Sequence, residues 1–145
     1  MTIVVDSNIV AALVLPVSYS PQANALIDHW RRSGERLIAP TLFEYEITSL
    51  IRRSVFSNQL ERAQMLPILS RLLNSGVVTI PPTKASHVDA LALAERIGQS
   101  KAYDAQYLAL ASRENAPLWT ADRRLAHTAR DAGLGWVHWV GDWRA

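Results

Sequence analysis

Short apolar segments alternate along this chain with longer segments of helical pattern, and this alternation is the feature that most restricts the fold. The apolar segments lie at Thr2–Val5, Arg36–Ala39, Val77–Ile80, Leu118–Thr120 and Trp136–Val140. Short strands that are apolar throughout are typical of parallel sheets, because helices cover both faces of such a sheet. We therefore predict an α/β fold of three layers, with a short five-stranded parallel sheet between helices.

About seven helices are predicted between and after these strands. The sequence Asp6-Ser7-Asn8 can cap a helix that runs to about Leu15, where Pro16 ends it. A helix over Gln59–Asn74 contains Pro67, which is predicted to kink or split it. The other predicted helices cover Ser20–Ser33, Pro40–Val55, Ser86–Ile97, Tyr103–Glu114 and Asp122–Ala132.

The composition indicates one domain, residues 1–145, of a cytoplasmic protein. Hydrophobic residues make up 49% of the chain, which is too many for a disordered protein. The N-terminus has no basic region and reaches Asp6 early, so it does not resemble a signal peptide. The longest apolar run, Ile9–Pro16, is far shorter than a membrane span, and we expect no membrane association. The net charge of +2 is too small to indicate nucleic-acid binding by itself.

Four carboxylates abut or interrupt apolar runs, where a soluble fold rarely places a charge. They are Asp6, Glu46, Asp104 and Asp122. Burying a carboxylate costs several kcal/mol or more unless it is paired or bound to a metal. Four of them along a short chain predict one acidic pocket. Without cysteines or clustered histidines, such a pocket favours a hard divalent cation, Mg²⁺ or Mn²⁺.

The helical pattern around Glu46 indicates which of two neighbouring acids points inward. On a wheel that starts at Leu42, the apolar face is centred at about 100°. Glu46 lies at about 40°, inside that face, and Glu44 lies at about 200°, on its flank. Glu46 is therefore the predicted site residue, although Glu44 remains a second acid in the segment. The alternative for Glu46 is a buried ion pair with a residue such as Arg53.

The other three acids have a simpler alternative, which is helix capping or, for Asp104 and Asp122, capping or compensation of the helix dipole. Asp104 and Asp122 both stand at the start of a predicted helix, where aspartate caps are common. Asp6 has the same alternative, but an aspartate that ends a buried first strand is also a frequent metal or phosphate position in open α/β sheets. Ligands of such sheets bind beyond the carboxyl ends of the strands, where Asp6 and Asp122 both fall.

An acidic metal pocket predicts hydrolysis of a phosphodiester, since a divalent cation polarises the phosphate and activates a bound water. Ser7, Asn8 and Thr120 are predicted to support the site, with N-capping or an ordinary strand role as alternatives. Arg123 and Arg124 are predicted phosphate contacts because they adjoin Asp122, although a solvated helix face is the simpler interpretation.

The segments Ile3–Asn8, Tyr45–Arg53, Tyr103–Ala111 and Leu118–Leu125 together resemble the four motifs of PIN-domain nucleases, most closely the VapC-like toxins of prokaryotic toxin–antitoxin pairs. The resemblance spans essentially the whole chain. It implies a metal site made by Asp6, Glu46, Asp104 and Asp122. It also implies a PIN-like fold, Mg²⁺ or Mn²⁺ as cofactor, single-stranded or looped RNA as substrate, and two protein partners. These are a second copy of the chain, in a homodimer, and a cognate antitoxin.

The leading hypothesis is therefore a metal-dependent endoribonuclease, the toxin of a toxin–antitoxin pair. The alternative is a non-catalytic RNA-binding or scaffold domain that keeps the fold. A phosphorelay receiver is disfavoured because Ser7, and not a second acid, follows Asp6 and no lysine follows Lys101. An aspartyl phosphatase is disfavoured because position 8 is Asn in place of the second Asp of its Asp-x-Asp motif.

Overall fold

The computed structural model describes residues 1–145, and five parallel strands form its one sheet. The strands are β1 (Thr2–Val5), β2 (Arg36–Pro40), β3 (Val78–Ile80), β4 (Leu118–Thr120) and β5 (Val137–Trp139). Their order across the sheet is β3-β2-β1-β4-β5. The predicted five-stranded parallel sheet is confirmed.

One row of apolar residues runs straight across the sheet. Val4 of β1 lies opposite Ile38 of β2 on one side and Leu118 of β4 on the other. Ile38 in turn lies opposite Val78, and Leu118 lies opposite Val137. All of these are buried except Val78, which belongs to an edge strand. The central strands are therefore apolar because both of their faces lie in the core.

Seven α-helices connect and follow the strands. They are α1 (Ser7–Ala11), α2 (Ser20–Arg32), α3 (Leu42–Phe56), α4 (Met65–Leu73), α5 (Lys84–Arg96), α6 (Asp104–Glu114) and α7 (Arg123–Asp131). Because crossovers between parallel strands are right-handed, this strand order places α1 to α4 on one face and α5 to α7 on the other. Accordingly α1 packs on α2 and α3, while α5 packs on α6. No helix has the length and hydrophobicity required to cross a bilayer.

Three helix predictions were wrong in their bounds. The third helix begins at Leu42 and not at Pro40, because Pro40 is the last residue of β2. The first helix ends at Ala11 and not near Leu15, because the amides of Leu13 and Val14 bond to carbonyls three residues back and form turns. The fifth helix begins at Lys84 and not at Ser86, because the Thr83 hydroxyl accepts a hydrogen bond from the Ser86 amide at 3.1 Å and caps it.

The helix predicted over Gln59–Asn74, with a kink or a split at Pro67, is divided, but the division falls before Pro67 and not at it. That segment contains a short 3₁₀ turn over Arg62–Gln64, and α4 begins only at Met65. Pro67 therefore lies in the first turn of α4, where its missing N–H would have had no partner within the helix.

The strand order reverses between β1 and β4. On one side of β1 the chain adds β2 and then β3, and on the other side it adds β4 and then β5. Val5 pairs with Trp119, and the Asp6 amide donates to the Trp119 carbonyl at 3.0 Å. The residues that follow these two strands consequently lie side by side. Open α/β sheets bind ligands at such a reversal, beyond the carboxyl ends of the strands.

Candidate functional site

Asp6 lies at this strand reversal and is almost completely buried, with 6% of its surface exposed. Its side chain does not cap α1, so the capping alternative is wrong. The carboxylate instead accepts hydrogen bonds from the Thr120 hydroxyl at 2.8 Å, from the Asn8 amide at 3.2 Å and from the Ser7 hydroxyl at 3.4 Å. Three polar side chains thus hold a buried carboxylate that has no cation beside it.

The Thr120 hydroxyl joins the ends of β1 and β4. It donates to Asp6, and it accepts from the backbone amide of Asp122 at 3.0 Å. Asn8 bridges the same two strands, because its amide nitrogen donates to Thr120 at 3.3 Å while its oxygen accepts from the Ala121 amide at 3.0 Å. Thr120 and Asn8 therefore link the ends of β1 and β4 by hydrogen bonds. The alternatives were an ordinary strand role for Thr120 and helix capping for Asn8.

Glu46 reaches the same region from α3 and is partly buried. One of its oxygens accepts hydrogen bonds from the Tyr107 hydroxyl at 2.5 Å and from the Ser7 hydroxyl at 3.4 Å. No ion pair with Arg53 forms, so that alternative is wrong. Glu44 is exposed, which confirms the predicted orientation of the two acids on this helix.

The two remaining acids stand at the starts of α6 and α7 and differ in what they do there. Asp104 makes no capping bond, and its carboxylate accepts from the Gln99 amide at 2.9 Å. Asp122 does cap its helix, since its carboxylate accepts from the Leu125 amide at 3.0 Å. Capping is thus observed for Asp122 and wrong for Asp104, which nevertheless lies in the first turn of α6, where an acid compensates the helix dipole.

Three of the acids repel one another. The pKa of Asp6 is raised from 3.8 to about 7, mainly because the carboxyl is buried; the Thr120 hydrogen bond opposes the rise, and the nearby carboxylates of Glu46 and Asp104 add to it. Burial also raises the pKa of Glu46, with a further contribution from Asp104. None of the three has a salt bridge. The site therefore brings together three carboxylates that no salt bridge neutralises.

Tyrosine and glutamine side chains complete this site, and the sequence did not single them out. Burial and the charges of Asp6 and Glu46 raise the pKa of Tyr107, so its hydroxyl stays protonated and remains a donor. Tyr107 follows Asp104 by three positions on one face of α6, and a hydroxyl on that otherwise apolar face was the available signal. Gln99 lies in the loop before α6, where no local pattern marks it.

The donor set fits a hard divalent cation by its chemistry. All the charged groups are carboxylates, which Mg²⁺ and Mn²⁺ prefer, and a cation would relieve both the desolvation and the repulsion at Asp6. In this conformation, however, no group of three or more acids or histidines is placed to hold one ion. A shared ion would therefore require rotation of side chains such as Glu46, which are only partly buried.

A cavity of about 520 Å³ opens beside the acids, between the loop before α6 and the start of α7. Asp104 and Asp122 both line it, and so does Arg124. Arg123 does not, because its guanidinium lies 5.1 Å from the centre of the Trp139 ring. Of the two predicted phosphate contacts, only Arg124 thus lies at this cavity.

Comparison with known proteins identifies the family. The PIN domain model matches residues 3–131, whereas no curated protein sequence matches the chain. A toxin–antitoxin complex from Klebsiella pneumoniae is 20% identical over 94% of this chain and 96% of its own, with a TM-score of 0.61. VapBC2 from Rickettsia felis, bound to a DNA fragment from its promoter, is 13% identical over 95% and 98%, with a TM-score of 0.68.

FitAB bound to an IR36 DNA fragment is 12% identical over 99% of this chain and 98% of its own, with a TM-score of 0.72. At such identities the likeness to these structures is one of fold. The family model covers most of the sequence, including all four acidic positions. The chain belongs to the PIN domain family.

Proposed function

We propose that this chain is a Mg²⁺- or Mn²⁺-dependent endoribonuclease, with residues 1–145 forming one nuclease domain. It acts in the cytoplasm as the toxin of a type II toxin–antitoxin pair. The observation that carries the proposal is the uncompensated charge of Asp6, Glu46 and Asp104 at the strand reversal of a PIN domain. Three close carboxylates, of which Asp6 is buried, cost stability, and a bound cation explains why the chain keeps them.

Asp6, Glu46, Asp104 and Asp122 would hold the cation. When bound, it supplies Lewis-acid activation of a water molecule and of the phosphate. The reaction is hydrolysis: a water oxygen forms the new bond to phosphorus, the 3′ oxygen of the preceding ribose leaves, and a 5′-phosphate remains on the downstream fragment. No side-chain nucleophile is required.

The neighbouring side chains give these acids their positions. Thr120 and Asn8 orient the Asp6 carboxylate, and the Ser7 hydroxyl lies 3.4 Å from an oxygen of Asp6 and from one of Glu46, so it can donate its one proton to either. In this conformation the Tyr107 hydroxyl donates to one oxygen of Glu46, and the other oxygen accepts no hydrogen bond from the protein. These outer contacts matter because removing one typically lowers metal affinity or activity about 10- to 100-fold.

The proposed partners are a second copy of this chain and an antitoxin. The Klebsiella structure, which has the same fold, is a toxin–antitoxin complex. Large apolar side chains on α3 and α4 are also exposed here, among them Phe56 at 78% and Leu66 at 73%. Exposed apolar surface of this kind is typical of protein interfaces. An antitoxin arginine or lysine placed among the carboxylates would inhibit by replacing the charge of the metal.

The alternative is a non-catalytic PIN-like RNA-binding or scaffold domain. One observation favours it, which is that no three acids are positioned to hold one ion in this conformation. Metal-dependent cleavage separates the two functions, because a scaffold domain would bind RNA without cutting it.

The test is cleavage of a long single-stranded RNA of mixed sequence by the purified chain. We expect cleavage with Mg²⁺ or Mn²⁺, none with EDTA, and almost none for Asp104→Asn with either metal. Asp131→Asn is the control, because Asp131 is an exposed acid at the end of α7 and should leave the rate unchanged. Cleavage that survives EDTA, or that survives Asp104→Asn, would contradict the proposal. RNA binding without cleavage would favour the scaffold function.

A further inference from the structure

The cavity beside the acids contains more than carboxylates. Its polar lining includes Gln99, Lys101, Tyr103, Asp104, Asp122 and Arg124. Two cations and an aromatic ring therefore lie next to two of the acids that the proposed function uses. Cavities that combine cations with an aromatic ring are typical of single-stranded nucleic-acid sites, where cations follow the backbone and rings stack on bases.

Lys101 and Arg124 are free to bind an anion. Both are exposed, and neither takes part in a salt bridge, although acids line the same cavity. Arg124 differs in this respect from Arg123, which stacks on Trp139. Because no carboxylate lies within salt-bridge distance of either cation, both are available to a phosphate, whose oxygens form strong charge-assisted hydrogen bonds with lysine and arginine.

Tyr103 supplies the aromatic surface. Its side chain is 63% exposed, although it directly precedes Asp104 and lines the cavity. An exposed tyrosine beside a row of acids offers a flat face on which a base can stack. Bases inside a duplex are already stacked on their neighbours, so this surface favours a strand with unpaired bases.

We infer that this cavity binds one nucleotide next to the scissile phosphate of single-stranded RNA. Lys101 and Arg124 hold its phosphate, and Tyr103 stacks on its base. The inference rests on the proposed nuclease function and adds the residues that select an unpaired strand. Tyr103 is consequently a specificity residue, which acts on substrate binding and not on the chemical step.

The test is RNA binding without metal, where no cleavage occurs. Fluorescence anisotropy of a labelled single-stranded RNA of about ten nucleotides is measured in EDTA, with the same sequence as a duplex for comparison. Tyr103→Ala should weaken binding of the single strand about tenfold, on the scale of one lost stacking interaction. Tyr103→Phe should bind like the unmodified chain, since it keeps the ring. The duplex should bind more weakly and should not respond to Tyr103→Ala.

The two cations are tested by the salt dependence of the same binding. Each phosphate contact on a single strand contributes about 0.7 to the slope of log K against log salt concentration. Lys101→Ala and Arg124→Ala should each lower the slope by about that amount. The matched controls are Lys84→Ala, which removes the only other lysine, and Arg32→Ala, both exposed and remote from the cavity lining. Neither control should change the slope.

Equal affinity of the unmodified chain and Tyr103→Ala would overturn the inference, as would a duplex that binds as tightly as the single strand. Cleavage assays with metal separate this failure from a failure of the proposed function. If the chain cleaves RNA and Tyr103→Ala has an unchanged KM, the nuclease function stands and the nucleotide site is refuted. If binding depends on Tyr103 and no metal supports cleavage, the nucleotide site stands and the nuclease function is refuted.

Discussion

Replacing Asp6 by Asn should stabilise the metal-free protein, and the gain should depend on pH in a defined way. The unfolded chain loses the Asp6 proton near the ordinary pKa of 3.8, whereas the folded protein keeps it until about pH 7. Between these values the folded state binds more protons, so stability falls as pH rises. The loss begins above about pH 4 and is complete once pH exceeds the folded pKa of about 7.

The size of the effect follows from the same shift. The Asp6 pKa rises by about three units, and each unit corresponds to about 1.4 kcal/mol, so ionised Asp6 costs the folded state about 4 kcal/mol at pH 8. An asparagine keeps an acceptor for the Thr120 hydroxyl but adds a buried amide donor, which costs about 1 to 3 kcal/mol if it stays unpaired. The net gain at pH 8 should be about 1 to 3 kcal/mol.

Urea unfolding in EDTA at pH 4, 6 and 8 measures this gain. With a typical m-value of about 1 to 3 kcal/mol per molar, the unfolding midpoint of Asp6→Asn should exceed that of the unmodified chain by about 1 M at pH 8. At pH 4 the difference should vanish or reverse, because Asp6 is then neutral in the folded protein. Glu44→Gln is the control, and the difference between its unfolding midpoint and that of the unmodified chain should be the same at all three pH values. Parallel pH profiles for Asp6→Asn and the unmodified chain would refute the argument that Asp6 is strained by burial.

Three further predictions concern catalysis and assembly. Glu46→Gln should lower the cleavage rate at least about tenfold, on the scale of a lost metal ligand, whereas Glu44→Gln should leave it unchanged; the reverse ranking in a cleavage assay would contradict the roles assigned to these two acids. A 2′-deoxy substitution on the 5′ side of the cut should still permit cleavage and leave a 5′-phosphate, because water attacks the phosphorus. A 2′,3′-cyclic phosphate in the product analysis would instead identify the 2′-hydroxyl as nucleophile. The isolated chain should be a dimer by light scattering at micromolar concentration, and its native partner should inhibit less well once its contacting cation is changed to Ala. A monomer would contradict the first claim, and dispensable partner cations the second.

The strands could be predicted from the sequence because the signal is local. Two short apolar runs illustrate this: Thr2–Val5, which Asp6 follows, and Leu118–Thr120, which ends in a threonine. Both are largely buried strands in the structure. Helix ends were less predictable, because they depend on which hydrogen bonds compete for the terminal amides. Turns form after Ala11 in place of further helix. The Thr83 cap places the start of α5 two residues closer to the N-terminus than predicted.

The site was predictable only as far as local pattern reaches. The phase of α3 places Glu46 inward, and the end of β1 places Asp6 at the sheet edge. The contacts that orient these acids join distant parts of the chain: Tyr107 lies 61 positions from Glu46. No local spacing encodes such a contact. The same limit applies to Asp104, whose hydrogen bond from a loop glutamine replaced the helix cap that its position suggested.

The hydrogen bond between Thr120 and Asp6 has a consequence for the timing of synthesis. It joins residues that are 114 positions apart, so Asp6 is synthesised long before Thr120. At about 5 to 20 residues per second, the interval is roughly 6 to 23 seconds. During that time β1 lacks one of its neighbours, and the Asp6 carboxylate lacks its shortest hydrogen bond. Under the proposed function, a protein that cuts RNA is thus inert while it is still being translated from one.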